Sequence, residues 1–157
     1  PVLRLVLAPL VVGEGHRRAF ERQLARPGLR DSKATRKAVA EVDRCFSDCY
    51  GLLSSIYRYA SMAYVGGGFG VGIHNVPEAA VYGIHVIIGP NNKKFREAQA
   101  LLRCGGCKEI ACAADFEQIM DAWLSDKEAL ATAGKAAGSY IADNAGAADR
   151  IFSKTLQ

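Results

Sequence analysis

The chain has 157 residues, enough for one domain with a single sizeable core. Half of the residues are hydrophobic, 23% are charged and mean hydropathy is +0.02, a balance that excludes disorder, while no apolar run approaches the roughly 18 residues of a membrane span. The net charge of +4 is mild, and Lys and Arg cluster only at 16–18 and 32–37, so no nucleic-acid partner is expected; acidic small molecules or an anionic membrane surface suit this charge equally.

In chain order, residues 2–8 (VLRLVLA) are β-rich and end at Pro9, as a first strand followed by a loop. Residues 14–26 carry Ala19, Phe20, Gln23 and Leu24 at helical spacing and close at Pro27-Gly28. The segment 29–43 is ambiguous: propensity favours helix over 34–42, yet an alternating chain calls for a short strand nearby. Strands follow at 44–48 and 61–65, with a helix over 51–59 between them. After the glycines, a helix is expected over 76–82, opened by Asn75 as N-cap with Pro77 in its first turn. Residues 84–88 form the clearest strand, 89–92 a loop, 95–103 a helix and 108–112 a short strand. Helices over 114–124, 126–140 and 147–155 complete the chain. Alternation of strand and helix predicts an α/β fold, a Rossmann-like parallel sheet with helices on both faces.

The start at Pro1-Val2-Leu3-Arg4, directly inside a strand and with no signal peptide before it, suggests a piece of a longer cytoplasmic protein with a partner domain outside this chain. The five cysteines, at 45, 49, 104, 107 and 112, do not space as a zinc site, and Cys104-Gly-Gly-Cys107 follows a helix where a redox motif should open one. Reduced, partly buried thiols are the simplest expectation, and no metal is expected.

The stretch 65–78, VGGGFGVGIHNVPE, is the most distinctive, with five glycines between Gly66 and Gly72. It follows a strand, and in open parallel sheets ligands sit beyond the carboxyl ends of the strands. Glycines there admit a phosphate to the main chain, where a nest of N–H groups can hold it. Neither standard phosphate motif fits: no Gly-Lys-Ser/Thr follows, and the residue twenty positions after Gly68 is Ile88 rather than an acid. Glu78 falls one helical turn after Asn75, so its carboxylate can take both hydroxyls of a ribose; the alternative is that it serves its own helix N-terminus. His74 can donate to the same anion, or be a loop histidine bonded to backbone.

These residues carry a resemblance. Val65-Gly66-Gly67-Gly68-Phe69, Gly72-Ile73-His74-Asn75-Val76-Pro77-Glu78-Ala79-Ala80 and Val86-Ile87-Ile88-Gly89-Pro90-Asn91 resemble the C-terminal half of 3-deoxy-D-manno-octulosonic acid (Kdo) transferases. The likeness extends upstream through 51–57, which is similar to Bacteroidetes-like members, and downstream through Lys94-Phe95-Arg96-Glu97-Ala98 and Asn144-Ala145-Gly146-Ala147.

The resemblance implies a GT-B glycosyltransferase, with residues 1–157 as the half that binds the nucleotide sugar CMP-Kdo. The acceptor, a lipid A precursor, the membrane contact at the cytoplasmic face of the bacterial inner membrane, and the catalytic base would belong to an N-terminal half outside this chain. It implies that Glu78 binds the ribose of CMP, that the backbone of Gly67, Gly68 and Phe69 faces the phosphate, and that His74 and Asn75 complete the donor site. Lys94 is a further candidate for an anionic group of the donor, with a solvated lysine as the alternative. No catalytic residue and no cofactor other than the donor substrate is implied. Two positions depart from the family: Leu10-Val11-Val12 stands where many members have a basic or His-containing loop, and Leu52 where many have Glu. Another GT-B transferase using a UDP- or GDP-sugar, and a non-catalytic nucleotide-binding module, remain open alternatives.

Overall fold

The structure, a computed structural model, describes residues 5–8, 31–33, 44–46, 53–146, 151–153 and 155. The chain divides into two compact units, Pro1–Ile56 and Tyr57–Gln157. The expected helices over 14–26 and 34–42, and the departures at Leu10 and Leu52, lie outside the described residues.

The first unit contains three short strands, β1 (Leu5–Leu7), β2 (Asp31–Lys33) and β3 (Arg44–Phe46), followed by the single-turn helix α1 (Leu53–Ile56). The strands form a parallel sheet in the order β1-β3-β2, with Arg44 opposite both Leu5 and Asp31. The short strand required in the ambiguous segment is therefore β2.

The second unit opens with a 3₁₀ turn, Tyr57–Tyr59, closed by Ala60 N–H donating to Tyr57 O at 3.0 Å. The expected helix over 51–59 is thus an α turn followed by a tighter one. Strands β4 (Met62–Val65), β5 (His85–Ile88) and β6 (Cys107–Glu109) form a second parallel sheet in sequence order. Their register places Val65 opposite Ile88 and Ile88 opposite Glu109, so the three strands end together. Crossovers run through α2 (Pro77–Ala80) and α3 (Arg96–Arg103), and α4 (Ala113–Ser125) and α5 (Lys127–Asn144) follow β6.

The central strand explains why its sequence is a continuous apolar run: all four residues of β5 are buried, as in a sheet covered on both faces. Val86 and Ile88 face Val65, Val76, Ala79, Leu101 and Ala137, while Ile87 packs on the other face with Ile110 and Trp123. Burial of each such aliphatic side chain contributes about 1.5–3 kcal/mol. The expectation of helices on both faces holds for this unit.

Element ends differ from expectation for local reasons. Helix α2 stops at Ala80 because Tyr82 and Gly83 donate to carbonyls three residues back, Ala79 and Ala80, and Gly83 then takes φ +66°. Strand β6 ends at Glu109, short of 112, because the Asp115 carboxylate accepts from the N–H groups of Ala111 (2.7 Å) and Cys112 (3.1 Å) and starts α4 instead. Those two bonds, Ala111 first, hold the Asp115 carboxyl below its ordinary pKa. Asp126 opens α5 by accepting from Glu128 and Ala129 N–H, as an N-cap should.

The thiols of Cys104, Cys107 and Cys112 are free; Cys107 is buried in the core, where desolvation pushes its pKa up to about 12. Among the described residues no group of three or more His, Cys, Asp or Glu side chains gathers as for a metal, and no helix is long and apolar enough to cross a membrane.

Candidate functional site

Because β4, β5 and β6 are parallel and end in register, three segments leave the same edge of the sheet: the glycine loop after Val65, the turn after Ile88, and Glu109 at the end of β6. The carboxyl edge of such a sheet is where ligands are expected.

The glycine loop is folded on itself. Gly67 O accepts from Gly70 N–H (2.9 Å) and Gly72 N–H (3.2 Å), and Gly66 O accepts from His74 N–H (3.0 Å). Two glycines are required by this packing. Gly67 has φ +90°, and a Cβ there would strike the Gly72 carbonyl; a Cβ on Gly68 would lie 2.6 Å from Gly89 Cα. At these two positions the bare backbone therefore serves the close approach of protein to protein, a need that the expectation of room for a phosphate did not include. At Gly70 the nearest atom to a Cβ is Gly67 O at 3.6 Å, so that position is open.

Four carbonyls of this loop, those of Gly66, Gly67, Gly68 and Gly70, are hydrogen-bonded, while several of its amides are not. Gly68 O accepts from Asn91 N–H (2.8 Å) and Gly70 O from Asn91 Nδ2 (2.7 Å). Among the described residues, no acceptor takes the N–H groups of Gly67, Gly68, Phe69 or Val71. Donors left over beside carbonyls that are occupied favour an anion.

The other candidates gather at this loop to different degrees. The His74 imidazole lies over it, with Nε2 3.3 Å from where a Cβ of Gly67 would stand. The Phe69 ring rests against Gly89 and is 56% exposed. Asn75 is not the N-cap of α2: that place belongs to Val76, already helical at φ −67°, ψ −41°. Pro77 has no N–H for a cap to serve, and the Asn75 amide instead donates from Nδ2 to Glu78 Oε1 at 2.8 Å. Both side chains are exposed, and Glu78 accepts from no backbone N–H of its own helix. Lys94 is exposed on the turn that carries Asn91 and makes no ion pair among the described residues.

Several residues here carry no functional signal in the sequence. Tyr57 packs against the core beside Tyr82, with ring centroids 6.4 Å apart, and its phenol pKa is raised by burial and by the charge of Glu78. Asn91 ends a stretch that carries the resemblance but has no role assigned there, and Asn92 reads only as a loop residue. Asn92 is in fact fully buried: Nδ2 donates to Gly89 O (2.9 Å) and Glu109 Oε2 (2.6 Å), and Oδ1 accepts from Gln99 Nε2.

No family model matches the sequence. The crystal structure of the C-terminal CMP-Kdo binding domain of WaaA from Acinetobacter baumannii is similar to this chain, with a TM-score of 0.63 at 15% identity, over 89% of this chain and 90% of that chain. At that identity the likeness is one of fold, and it agrees with the sheet and helices described above: the chain is a Rossmann-like α/β protein.

Proposed function

We propose that this chain, over residues 1–157, is the donor-binding domain of a glycosyltransferase that transfers Kdo from CMP-Kdo to a lipid A precursor in lipopolysaccharide biosynthesis. The observation that carries the reading is the glycine loop, with the carbonyls of Gly66, Gly67, Gly68 and Gly70 occupied and the amides of Gly67, Gly68, Phe69 and Val71 left as donors, beside the Asn75–Glu78 pair. The likeness of fold to a CMP-Kdo binding domain supports it, as do the motifs around Gly66–Gly68 and His74–Glu78. The stretch 51–57 supports a Bacteroidetes-like member.

In this reading the loop amides of Gly67, Gly68 and Phe69 hold the phosphodiester and Glu78 takes the ribose hydroxyls. Asn75 fixes the carboxylate, His74 lies beside the phosphate, and Lys94 meets an anionic group of the donor. Transfer breaks the bond from the anomeric carbon of Kdo to the phosphate oxygen, forms one to the acceptor hydroxyl, and sends that hydroxyl's proton to a base. The departing CMP gains charge, which oriented amides and His74 stabilise without reorganising, and the chemistry calls for no metal or cofactor. The base, the acceptor site and the contact with the cytoplasmic face of the inner membrane belong to an N-terminal domain outside this chain.

Calorimetry with nucleoside monophosphates tests the reading. CMP should bind more tightly than AMP or UMP, and the chain alone should transfer no Kdo. Equal affinities would overturn the assignment of the donor, and turnover would place the base among these residues.

A further inference from the structure

The shape of the glycine loop depends on a residue outside it. Asn91 leaves the end of β5 and closes on the loop twice, from its main-chain N–H to Gly68 O and from Nδ2 to Gly70 O. Four loop carbonyls are taken: Gly66 by His74, Gly67 by Gly70 and Gly72, and Gly68 and Gly70 by Asn91. Without Asn91, two carbonyl dipoles would be free to turn toward any anion held by the neighbouring amides and repel it.

The turn that presents Asn91 is itself fixed. Buried Asn92 ties it to the end of β5 through Gly89 O, to the end of β6 through Glu109 and to α3 through Gln99. Its own N–H donates to Pro90 O at 2.9 Å, and its carbonyl accepts from Phe95 N–H at 3.0 Å. A buried polar group with every partner supplied holds one geometry, since losing any partner leaves an unpaired group out of water.

We propose that Asn91 is a positioning residue that keeps the glycine loop in its anion-accepting form by holding the carbonyls of Gly68 and Gly70, with Asn92 as the anchor that sets Asn91. The geometry stands on its own, while the ligand, the phosphate of CMP, rests on the function proposed above. Asn91 touches no reacting group in this account; it acts through Gly68 and Gly70.

The test uses the 157-residue chain and Asn91→Ala, which keeps the main-chain N–H and deletes the Nδ2 donor. Without ligand, hydrogen exchange of the bonded amides of Gly70, Gly72 and His74 should accelerate about tenfold while the β5 amides hold their rates. With ligand, CMP should bind about tenfold more weakly and cytidine, which has no phosphate, should be unaffected. Unchanged exchange in the loop overturns the proposal. So does an equal loss of CMP and cytidine, which would mark a general structural defect. A wild-type chain that ignores CMP, with exchange still accelerated in the variant, would refute the donor assignment and support the positioning role. Should Asn91→Ala fail to fold, Asn91→Gln, which retains a donor one methylene further out, carries the same comparison.

Discussion

Asn75 and Glu78 are joined across one turn by a hydrogen bond of 2.8 Å from Nδ2 to Oε1, and among the described residues no other protein donor reaches that carboxylate. Oε2 is thereby left open on an exposed lip, in an orientation fixed by its neighbour. A ribose supplies the two hydroxyl donors that such a carboxylate can accept.

Glu78→Ala should therefore weaken CMP binding about 10- to 100-fold, the range expected for charge-assisted hydrogen bonds worth about 1.5–3 kcal/mol. Wild type should also prefer CMP to its 2′-deoxy analogue, and the variant should lose that preference. Calorimetry with both nucleotides checks this, and a variant that still discriminates would remove Glu78 from the ribose site.

Substitution of the loop glycines separates the packing of the loop from its binding. In Gly68→Ala the new methyl would sit 2.6 Å from Gly89 Cα, so the loop must move. Overpacking of this kind costs about 1–3 kcal/mol. In Gly70→Ala the nearest neighbour is 3.6 Å away, and thermal stability should hold. Thermal melts of the two variants check the difference; equal melting temperatures would contradict the close approach of Gly68 to Gly89.

His85 makes stability depend on pH. It is fully buried on β5, its ring 4.0 Å from that of Trp123 by centroid, and neither nitrogen has a hydrogen-bond partner among the described residues. Burial, with the charge of Lys108 adding to it, lowers its pKa to about 4. The unfolded chain binds this proton near pH 6.5 and the folded chain only near 4, so stability is complete above pH 6.5 and falls as the pH drops between the two values. The loss from pH 7.5 to 5 should be about 2 kcal/mol. Denaturant melts of wild type and His85→Phe check it: the variant should lose most of this slope, and parallel curves would assign the acid sensitivity elsewhere.

Much of the second unit is legible in its sequence because its signals are local. The apolar run 84–88 announces a buried strand, and Asp126 announces the start of α5. Gly66–Gly72 and Glu78 mark the candidate site by composition and spacing. The exact ends were less legible, since they depend on competition for backbone groups, as when Asp115 takes the amides that would have prolonged β6. Asn91 and Asn92 were hidden for a different reason. An Asn-Asn pair after Gly-Pro is ordinary turn chemistry, and only the three-dimensional approach of Gly68 to Gly89 turns one residue toward the loop and the other into the core. His85 likewise reads as one more residue of a strand until Trp123 closes over it.

Whether the free amides of the glycine loop hold the phosphate of CMP is decided by an amide-resolved NMR titration. Adding CMP should shift Gly67, Gly68, Phe69 and Val71 together with His74 and Glu78, with AMP and NAD shifting them less and cytidine leaving the loop amides nearly still. Loop amides that ignore CMP, or respond equally to all of these ligands, would mean that the loop does not hold this phosphate.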